Sequence, residues 1–496
     1  MSYRCARGIK LRIPSEPTAM FRLPIRCLGR QTPRIVPRVI QRLPVWRFNS
    51  TTASSTPSAQ QSTQQQPAQQ PAQKAESTPP SEEPKPKPQR TYSTPLAKFL
   101  TEAIKTTGPI PLAQFMRQCL TSDIGYYTSE SDPFGRKGDF ITSPEISQLF
   151  GEMLGIWIVS EWMAQGRKDK IQLIELGPGR GTLMDDVLRT LSQFRPLASA
   201  ITSVHLVEAS ETLRVTQAQL LCNSTTFTEN ADGSLSCISK YNGIPITWHP
   251  LLSKVPKCSS PFFLAHEFFD ALPIHAFEAT KNGWRELLVS PDDSATAENN
   301  KPEFILSRAD KSTPHSMMLP ELSERYKRLS KVEGSIIEIS PESLTITEEI
   351  AKRIGGPKAG GALFVDYGPL DTIPINSLRG IRHHEMVSPF ANAGEVDVSA
   401  DVDFFALAER ALDASEGVEV HGPVEQGAFL LTMGMRERME QLARGVEEEK
   451  KKEMETGVQR LTERGGGAMG KVYKVLSIVP ERGGQRPVGF GGGLMG

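Results

Sequence analysis

The sequence predicts a doubly wound α/β fold built on a mostly parallel sheet, from three observations. The short apolar run KIQLIELG leads through a glycine-rich turn into the helix-spaced segment TLMDDVLRTLSQF and then into a second apolar run, ITSVHLVEAS. A strand, helix and strand in that order form a βαβ unit with right-handed parallel pairing. A further helix through 213–221, strand candidates at 260–268, 360–368 and 471–479, and helical stretches at 344–354 and 402–414 continue the alternation, which is the pattern of an open sheet with helices on both faces.

The chain has 496 residues, more than one core usually holds, so its length alone predicts about two or three units or one domain with long appendages. Lysine plus arginine balances aspartate plus glutamate at 57 each, so no overall field gathers nucleic acid or an acidic membrane. The average hides an asymmetry. Residues 1–50 hold ten arginines and one lysine against the single acid Glu16, with apolar residues between them, which reads as a mitochondrial presequence; the plainer reading is a basic arm. Arg22, Arg26 and Arg30 interrupt every stretch that a secretory signal would need. The six cysteines show no CxxC pair and no histidine at zinc spacing, so neither a metal site nor a disulfide framework is expected. No stretch of 18 apolar residues occurs, and the best candidate, 149–163, carries Glu152 and Glu161, so it reads as a core helix and no membrane span is expected.

Residues 51–94 are dominated by Gln, Pro, Ser, Thr and Ala and read as a linker that cannot bury enough apolar surface to order itself. The domain is therefore expected over 95–480. It opens with two short helices broken by GPIP at 108–111, continues through a loop rich in Gly, Asp and Pro, and reaches a buried helix over 146–163. The segments 284–289 and 304–307 predict a hairpin with a long tip. Loops at 289–302 and 443–468 read as insertions, GGGAMGK at 465–471 as linker, and 481–496 as a flexible tail.

The most specific feature is the turn Glu175, Leu176, Gly177, Pro178, Gly179, Arg180, Gly181, Thr182 between a strand and a helix. Glycines at 177, 179 and 181 let the backbone approach a ligand, and the helix that starts near Thr182 points free N–H groups at it. A dinucleotide fingerprint would read GxGxxG; GxGxG after an acid is the spacing that S-adenosylmethionine enzymes favour, since no pyrophosphate must be cradled, and NAD is the runner-up. The next strand ends in Glu208, placed to accept both hydroxyls of a ribose. No GxxxxGK[ST] sequence is present, so a P-loop is not expected.

Taken with GDFITSPE at 138–145, HEFFDALP at 266–273, FVDYG at 364–368, IEISPESL at 337–344, GEVDVSADVDF at 394–404 and QGAFLLTMG at 426–434, this turn resembles the MidA family of mitochondrial methyltransferases over about 95–480. The resemblance implies a class I, S-adenosylmethionine-dependent methyltransferase with an added N-terminal helical, substrate-side region, working in the mitochondrion, within the matrix. It also implies symmetric dimethylation of an arginine on a core subunit of respiratory complex I, in support of that complex's assembly. The family usually has asparagine where this chain has His266, which leaves the polar contacts of that position open.

An arginine substrate keeps its charge at any relevant pH, so carboxylates must hold it while one nitrogen is aimed. Glu267 is the leading candidate, with Asp270 as a second acceptor; the competing reading has both capping a following helix. In the 138–145 loop, Asp139 could accept from the cofactor's amino group while Thr142 and Ser143 donate to its carboxylate, or Ser143 could simply start a helix. Asp366 and Tyr367 read as strand-edge lining, and the adjacent His383 and His384 as a solvated loop pair. Three rivals remain: an assembly chaperone that binds the cofactor without turnover, a methyltransferase acting on RNA or a small molecule, and a dehydrogenase. RNA work would call for a basic, aromatic-studded surface, and the sequence offers none.

Overall fold

The computed structural model of the chain describes residues 92–128, 141–295 and 301–492, together with a short pairing of Tyr3–Arg4 with Lys10–Leu11. The expected presequence and linker otherwise lie outside the described residues.

The central sheet has nine strands: β1 (Ile171–Leu176), β2 (Ile201–Val207), β3 (Thr228–Glu229), β4 (Leu235–Ile238), β5 (Pro245–His249), β6 (Ser260–His266), β7 (Gly361–Tyr367), β8 (Val418–Glu425) and β9 (Tyr473–Pro480). Their spatial order is β8-β9-β7-β6-β1-β2-β5-β4-β3. The run β5-β2-β1-β6-β7 is parallel, β9 enters antiparallel to both its neighbours, and β3, β4 and β5 form an antiparallel edge. The strands read as unbroken apolar runs because both faces are covered. Leu173, Phe262, Leu264, Leu363 and Val475 pack on one side with helix Gln148–Ala164, while Ile174, Phe263, Phe364 and Ile478 pack on the other with helices Pro341–Gly355 and Phe404–Ala414.

Helix Gln148–Ala164 is apolar nearly all round, and its two buried acids are paired. Glu152 meets Arg189 at 2.9 Å and Arg438 at 2.7 Å, and Glu161 meets Arg482 at 3.0 Å. Gly151 lets this helix touch helix Thr182–Leu191, for a Cβ there would lie 2.4 Å from Asp186 Cβ. The helix after the glycine-rich turn is thereby held in place.

The added region is more than N-terminal. Helices Pro95–Thr107 and Leu112–Thr121 pack on a second sheet, made of His275–Thr280, Gly283–Pro291, Phe304–Arg308, Ile336–Ile339 and the short Ile110–Pro111, and on a third of Arg379–Arg382, Glu385–Val387 and Asp397–Ser399. These sheets come from the chain between β6 and β7 and between β7 and β8, so three separate segments build one accessory layer around Phe115, Met116, Val289 and Val396. The expected hairpin forms, with Gly283–Pro291 pairing antiparallel to Phe304–Arg308.

Four expectations are corrected. The stretch 443–468 is no loop, since it holds helix Glu448–Thr462, whose Leu461 is fully buried. Gly465, Gly466 and Gly467 face open space, but the end of the 465–471 run is packed: a Cβ on Gly470 would lie 2.2 Å from the Thr462 carbonyl oxygen, and the Gly427 N–H donates to the Gly470 carbonyl at 2.9 Å. Low hydrophobicity hid a helix that needs only one apolar edge. The tail beyond 481 is anchored too, by Phe490, which is 2% exposed and lies 5.5 Å from the Phe429 ring. The insertion expected at 289–302 begins later, because Val289 is buried in its strand.

A buried aromatic truncated to alanine costs about 3–5 kcal/mol. Phe490→Ala is therefore expected to lower unfolding stability by about 3 kcal/mol in a urea titration, whereas a free tail would give no change.

Candidate functional site

The sheet order reverses at β1, whose chain successor β2 lies on one side and β6 on the other, and open α/β sheets bind ligands at the carboxyl edge of such a switch. A cleft of about 720 Å3, open mouth included, lies there. Its floor is Glu175, Gly177, Pro178, Gly179, Arg180, Thr182 and Leu183; one wall is His266, Glu267, Asp270 and Tyr367; the roof is Tyr127, Ile381, Asp397 and Ser399, and Thr142, Pro144 and Glu145 close the side. Of the residues picked from sequence, it brings together Glu175, Gly177, Pro178, Gly179, Thr182, Thr142, Glu267 and Asp270. Ser143 is fully buried and stands outside the lining, at the first position of the short helix Ser143–Ile146, and Asp139 lies outside the described residues.

The glycine turn is as tight as its spacing requires. Gly177 has φ 62° and a Cβ on it would lie 2.9 Å from Phe268 Cδ2, while Gly181, at φ 85°, caps helix Thr182–Leu191. Glu175 beneath it is 2% exposed, and its Oε2 has no hydrogen-bond partner. Burial, reinforced by the nearby Glu208, pushes its carboxyl up to about 8. A buried carboxyl oxygen without a donor awaits one.

Glu208 ends β2. Its Oε1 accepts from the Ser210 N–H at 2.8 Å and its Oε2 from Gln217 Nε2 at 3.1 Å, and each oxygen keeps a lone pair for a ribose hydroxyl. Gln217 is the functional residue that sequence reasoning missed. The same Nε2 donates to the Gly179 carbonyl at 2.7 Å, and Trp248 Nε1 donates to Gln217 Oε1 at 2.8 Å. One amide thus ties the glycine turn to Glu208. Its place on a helix with weak amphipathic pattern gave no sequence signal.

The wall depends on Asp366. Its fully buried Oδ2 accepts from the backbone N–H groups of Phe268, Phe269 and Asp270 at 3.1, 2.9 and 3.3 Å, and its Oδ1 from the Tyr367 N–H at 2.8 Å. The capping role considered for Glu267 and Asp270 therefore belongs to Asp366, which the sequence reading had placed as lining. No helix follows HEFFDALP.

Freed from capping, Glu267 sits at φ 50°, a left-handed conformation that costs a non-glycine residue on the order of 1–3 kcal/mol and collects at functional sites. Its Oε1 accepts from the Tyr473 hydroxyl at 2.6 Å. Burial, against the lowering effect of that hydroxyl and with the help of Asp270, Glu145 and Asp397, pushes the Glu267 carboxyl up to about 8. Asp270 is raised to about 6 by burial, with Arg379 pulling the other way.

Burial alone drives His266 down to about 3, so its ring is neutral. It packs 4.9 Å from Phe150, parallel to Tyr473 at 6.2 Å, with Nε2 3.4 Å from Glu267 Oε1. In place of the family's asparagine, this position gives a flat wall without charge.

Tyr367 lies 4.1 Å from the Tyr473 ring and carries the Arg379 guanidinium over its own face at 4.8 Å. Across the cleft the Tyr127 hydroxyl donates to Asp397 Oδ1 at 3.0 Å. The described lining thus holds five carboxylates against a single cation, Arg180, which stands 3.8 Å from Glu145. Such a cleft repels a pyrophosphate and suits a ligand that bears ammonium and sulfonium charges. The donor-free Glu175, the glycine cradle and the acid at β2 fit S-adenosylmethionine and speak against NAD. His383 and His384 lie in the turn between two strands of the third sheet, outside the lining, each with positive φ.

A family model described as "Putative S-adenosyl-L-methionine-dependent methyltransferase" matches residues 153–424. Curated relatives named mitochondrial protein arginine methyltransferase NDUFAF7 are 40% identical in Rattus norvegicus, over 71% of this chain and 77% of that one, and 40% identical in Homo sapiens, over 72% and 77%. The Drosophila melanogaster homologue is 38% identical over 81% of this chain and 90% of its own. A protein from Burkholderia thailandensis solved with S-adenosyl-homocysteine bound shares the fold at a TM-score of 0.60 and 23% identity, covering 81% of this chain and 94% of that one. The relatives' mitochondrial names agree with the arginine-rich first 50 residues. With its model matched over more than half the chain and its sequence shared across these relatives, the protein belongs to the family of S-adenosyl-L-methionine-dependent methyltransferases that includes the mitochondrial NDUFAF7 proteins.

Proposed function

We propose that the protein is a mitochondrial matrix enzyme that methylates an arginine of a protein, adding two methyls symmetrically, and that its substrate is a core subunit of respiratory complex I. The observation that carries the reading is a strained, buried glutamate at the centre of an acidic, tyrosine-lined cleft beside the cofactor turn. The relatives' names support an arginine substrate, and the resemblance noted above implies the symmetric product and the complex I subunit.

S-adenosylmethionine supplies an electrophilic methyl on a sulfonium. The chain's part is to hold the nucleophile in line with it and dry. Glu175, Gly177, Pro178, Gly179, Gly181, Thr182 and Glu208 are assigned to the cofactor, with Gln217 fixing the turn against Glu208 and Thr142 on the closing side, and Asp139 is assigned to it from the sequence alone. Ser143, buried in a helix start, is assigned to that helix instead. Glu267 and Asp270 are assigned to the guanidinium. A guanidinium can donate to Glu267 Oε2 while the Tyr473 hydroxyl holds Oε1, and Asp270 accepts from a second nitrogen. The tyrosine faces give a planar cation a surface to stack on. When a nitrogen gains its methyl it gives up a proton, and a carboxylate with affinity raised as far as that of Glu267 can take it at Oε2.

Three outcomes test this. Calorimetric titration with S-adenosylmethionine should show binding to the parent and none to Gly179→Val, whose side chain fills the cradle at a φ of 52°. With arginine peptides and mass-spectrometric readout of the methylated residue, Glu267→Gln should lower kcat by about a hundredfold or more while leaving cofactor affinity within a few fold. Cofactor binding without any methylated product would favour the chaperone reading; one methyl, or two on the same nitrogen, would remove the symmetric assignment.

The pH dependence has a definite sign. The Glu267 carboxyl is raised from 4.5 in the open chain to about 8, so its neutral form suits the ligand-free fold and stability falls as pH rises from 4.5 through 8. A guanidinium demands the opposite, ionised form, so substrate KM should fall as pH rises toward 8. Glu267→Gln should flatten both trends, read by thermal unfolding and by KM between pH 6 and 9.

A further inference from the structure

Away from the cleft, His275, Glu286 and His315 bring nitrogen and carboxylate ligand atoms within 4.8 Å of one another. His275 begins a strand of the second sheet, and Glu286 lies on the antiparallel neighbour, where Phe277 pairs with it, so both side chains occupy one face as diagonal neighbours. His315 comes from the first turn of helix Pro314–Met318. His275 Nδ1 is 2.7 Å from Glu286 Oε1, and His315 Nδ1 is 3.2 Å from the same oxygen.

We propose that His275, Glu286 and His315 form a binding site for a divalent transition metal of the zinc class, which clips segment 309–318 to the second sheet. Ligands about 2.0–2.1 Å from a tetrahedral zinc stand roughly 3.3 Å apart, and the two nitrogen–oxygen pairs here stand at 2.7 and 3.2 Å. Two imidazoles and one carboxylate suit zinc and its neighbours, whereas magnesium and calcium prefer an all-oxygen shell.

The surroundings orient the ligands as metal sites require. The Thr313 hydroxyl donates to Glu286 Oε2 at 2.5 Å, while Oε1 faces His275 and His315 Nδ1 lies between the two oxygens, 3.2 Å from Oε1 and 3.3 Å from Oε2. Thr313 is held in turn by a reciprocal cap, accepting from the Ser316 N–H at 3.1 Å while its own N–H donates to Ser316 Oγ at 2.9 Å. Phe277 lies parallel to the His275 ring at 6.2 Å. The glutamate side chain is 1% exposed and that of His315 45%, so the site is buried on one side and open to entry and to a water ligand on the other. The plain alternative is a hydrogen-bonded His–Glu–His trio that binds nothing.

The test uses the full chain, stripped with a chelator and titrated with zinc by calorimetry. One zinc per chain is expected, with a thermal midpoint that rises only when zinc is present. His315→Ala, a change at a half-exposed position, should weaken zinc by about a hundredfold while matching the stripped parent in thermal midpoint and in S-adenosylmethionine binding. Thr313→Val should weaken zinc by about tenfold through the freed carboxylate. The cobalt-loaded parent should show the d–d bands of four- or five-coordination without a thiolate charge-transfer band. No stoichiometric zinc in the parent, equal binding by His315→Ala, or a thiolate band would each overturn the site.

Discussion

The four hydrogen bonds that Asp366 accepts organise the rest of the site. A carboxylate at the end of β7 draws in three successive N–H groups of the segment after β6 and one of its own neighbour. That segment cannot then continue as a strand or start a helix. It turns at Glu267, whose backbone is forced to positive φ, and the side chain is delivered into the cleft rather than onto a helix end. The strain at Glu267 is offset by these buried bonds, each worth about 0.5–1.5 kcal/mol, so the geometry is over-determined by its surroundings.

The electrostatics follow from the same arrangement. Removing Glu175, Glu267 and Asp270 from water raises all three carboxyls, and a neighbouring acid raises each further: Glu208 beside Glu175, Asp270 beside Glu267 and Asp401 beside Asp270. A ligand-free cleft of this kind holds a latent demand for positive charge. Cations relieve it and anions aggravate it, which orders the cofactors and substrates that the cleft can accept without any feature shaped to one of them. The neutral His266 belongs to this scheme, for a protonated imidazole there would quench Glu267 from the inside.

The parts of the fold legible in the sequence are those that repeat a local rule. Strands β1, β2, β6, β7 and β9 were readable because burial on both faces demands continuous apolar runs, and the glycine turn because a backbone that must reach a ligand tolerates no Cβ. Glu208 was readable from its place at a strand tip. What stayed hidden depends on contacts between distant segments. Asp366 looks like any strand-end acid until the 267–270 turn is set against it, and Gln217 is one polar residue on a mixed helix until Trp248 and Gly179 approach it. The helix Glu448–Thr462 hid behind its charge. His275, Glu286 and His315 show no ligand spacing in the chain, since pairing of two strands and a helix cap bring them together.

The accessory layer explains why the cleft is held differently on its two sides. The cofactor side rests on β1 and β2 and on the tight contact of helix Gln148–Ala164 with helix Thr182–Leu191, all within the central sheet. The substrate side is roofed by Tyr127, Asp397 and Ser399, which reach it from the N-terminal helices and from the insertion after β7. Those pieces are joined to one another by the Thr94 hydroxyl on the Ala393 carbonyl, at 2.7 Å, and the N-terminal segment is tied to the second sheet by the Ser93 N–H on Glu303, at 2.9 Å. Loosening that layer would let the carboxylates relax into water and lose their raised proton affinity, while Gly177, Glu175 and Gln217 stayed where the sheet puts them. The two sides of the cleft are thus set by separate parts of the molecule that meet at β6 and β7, where the Glu267 turn joins them.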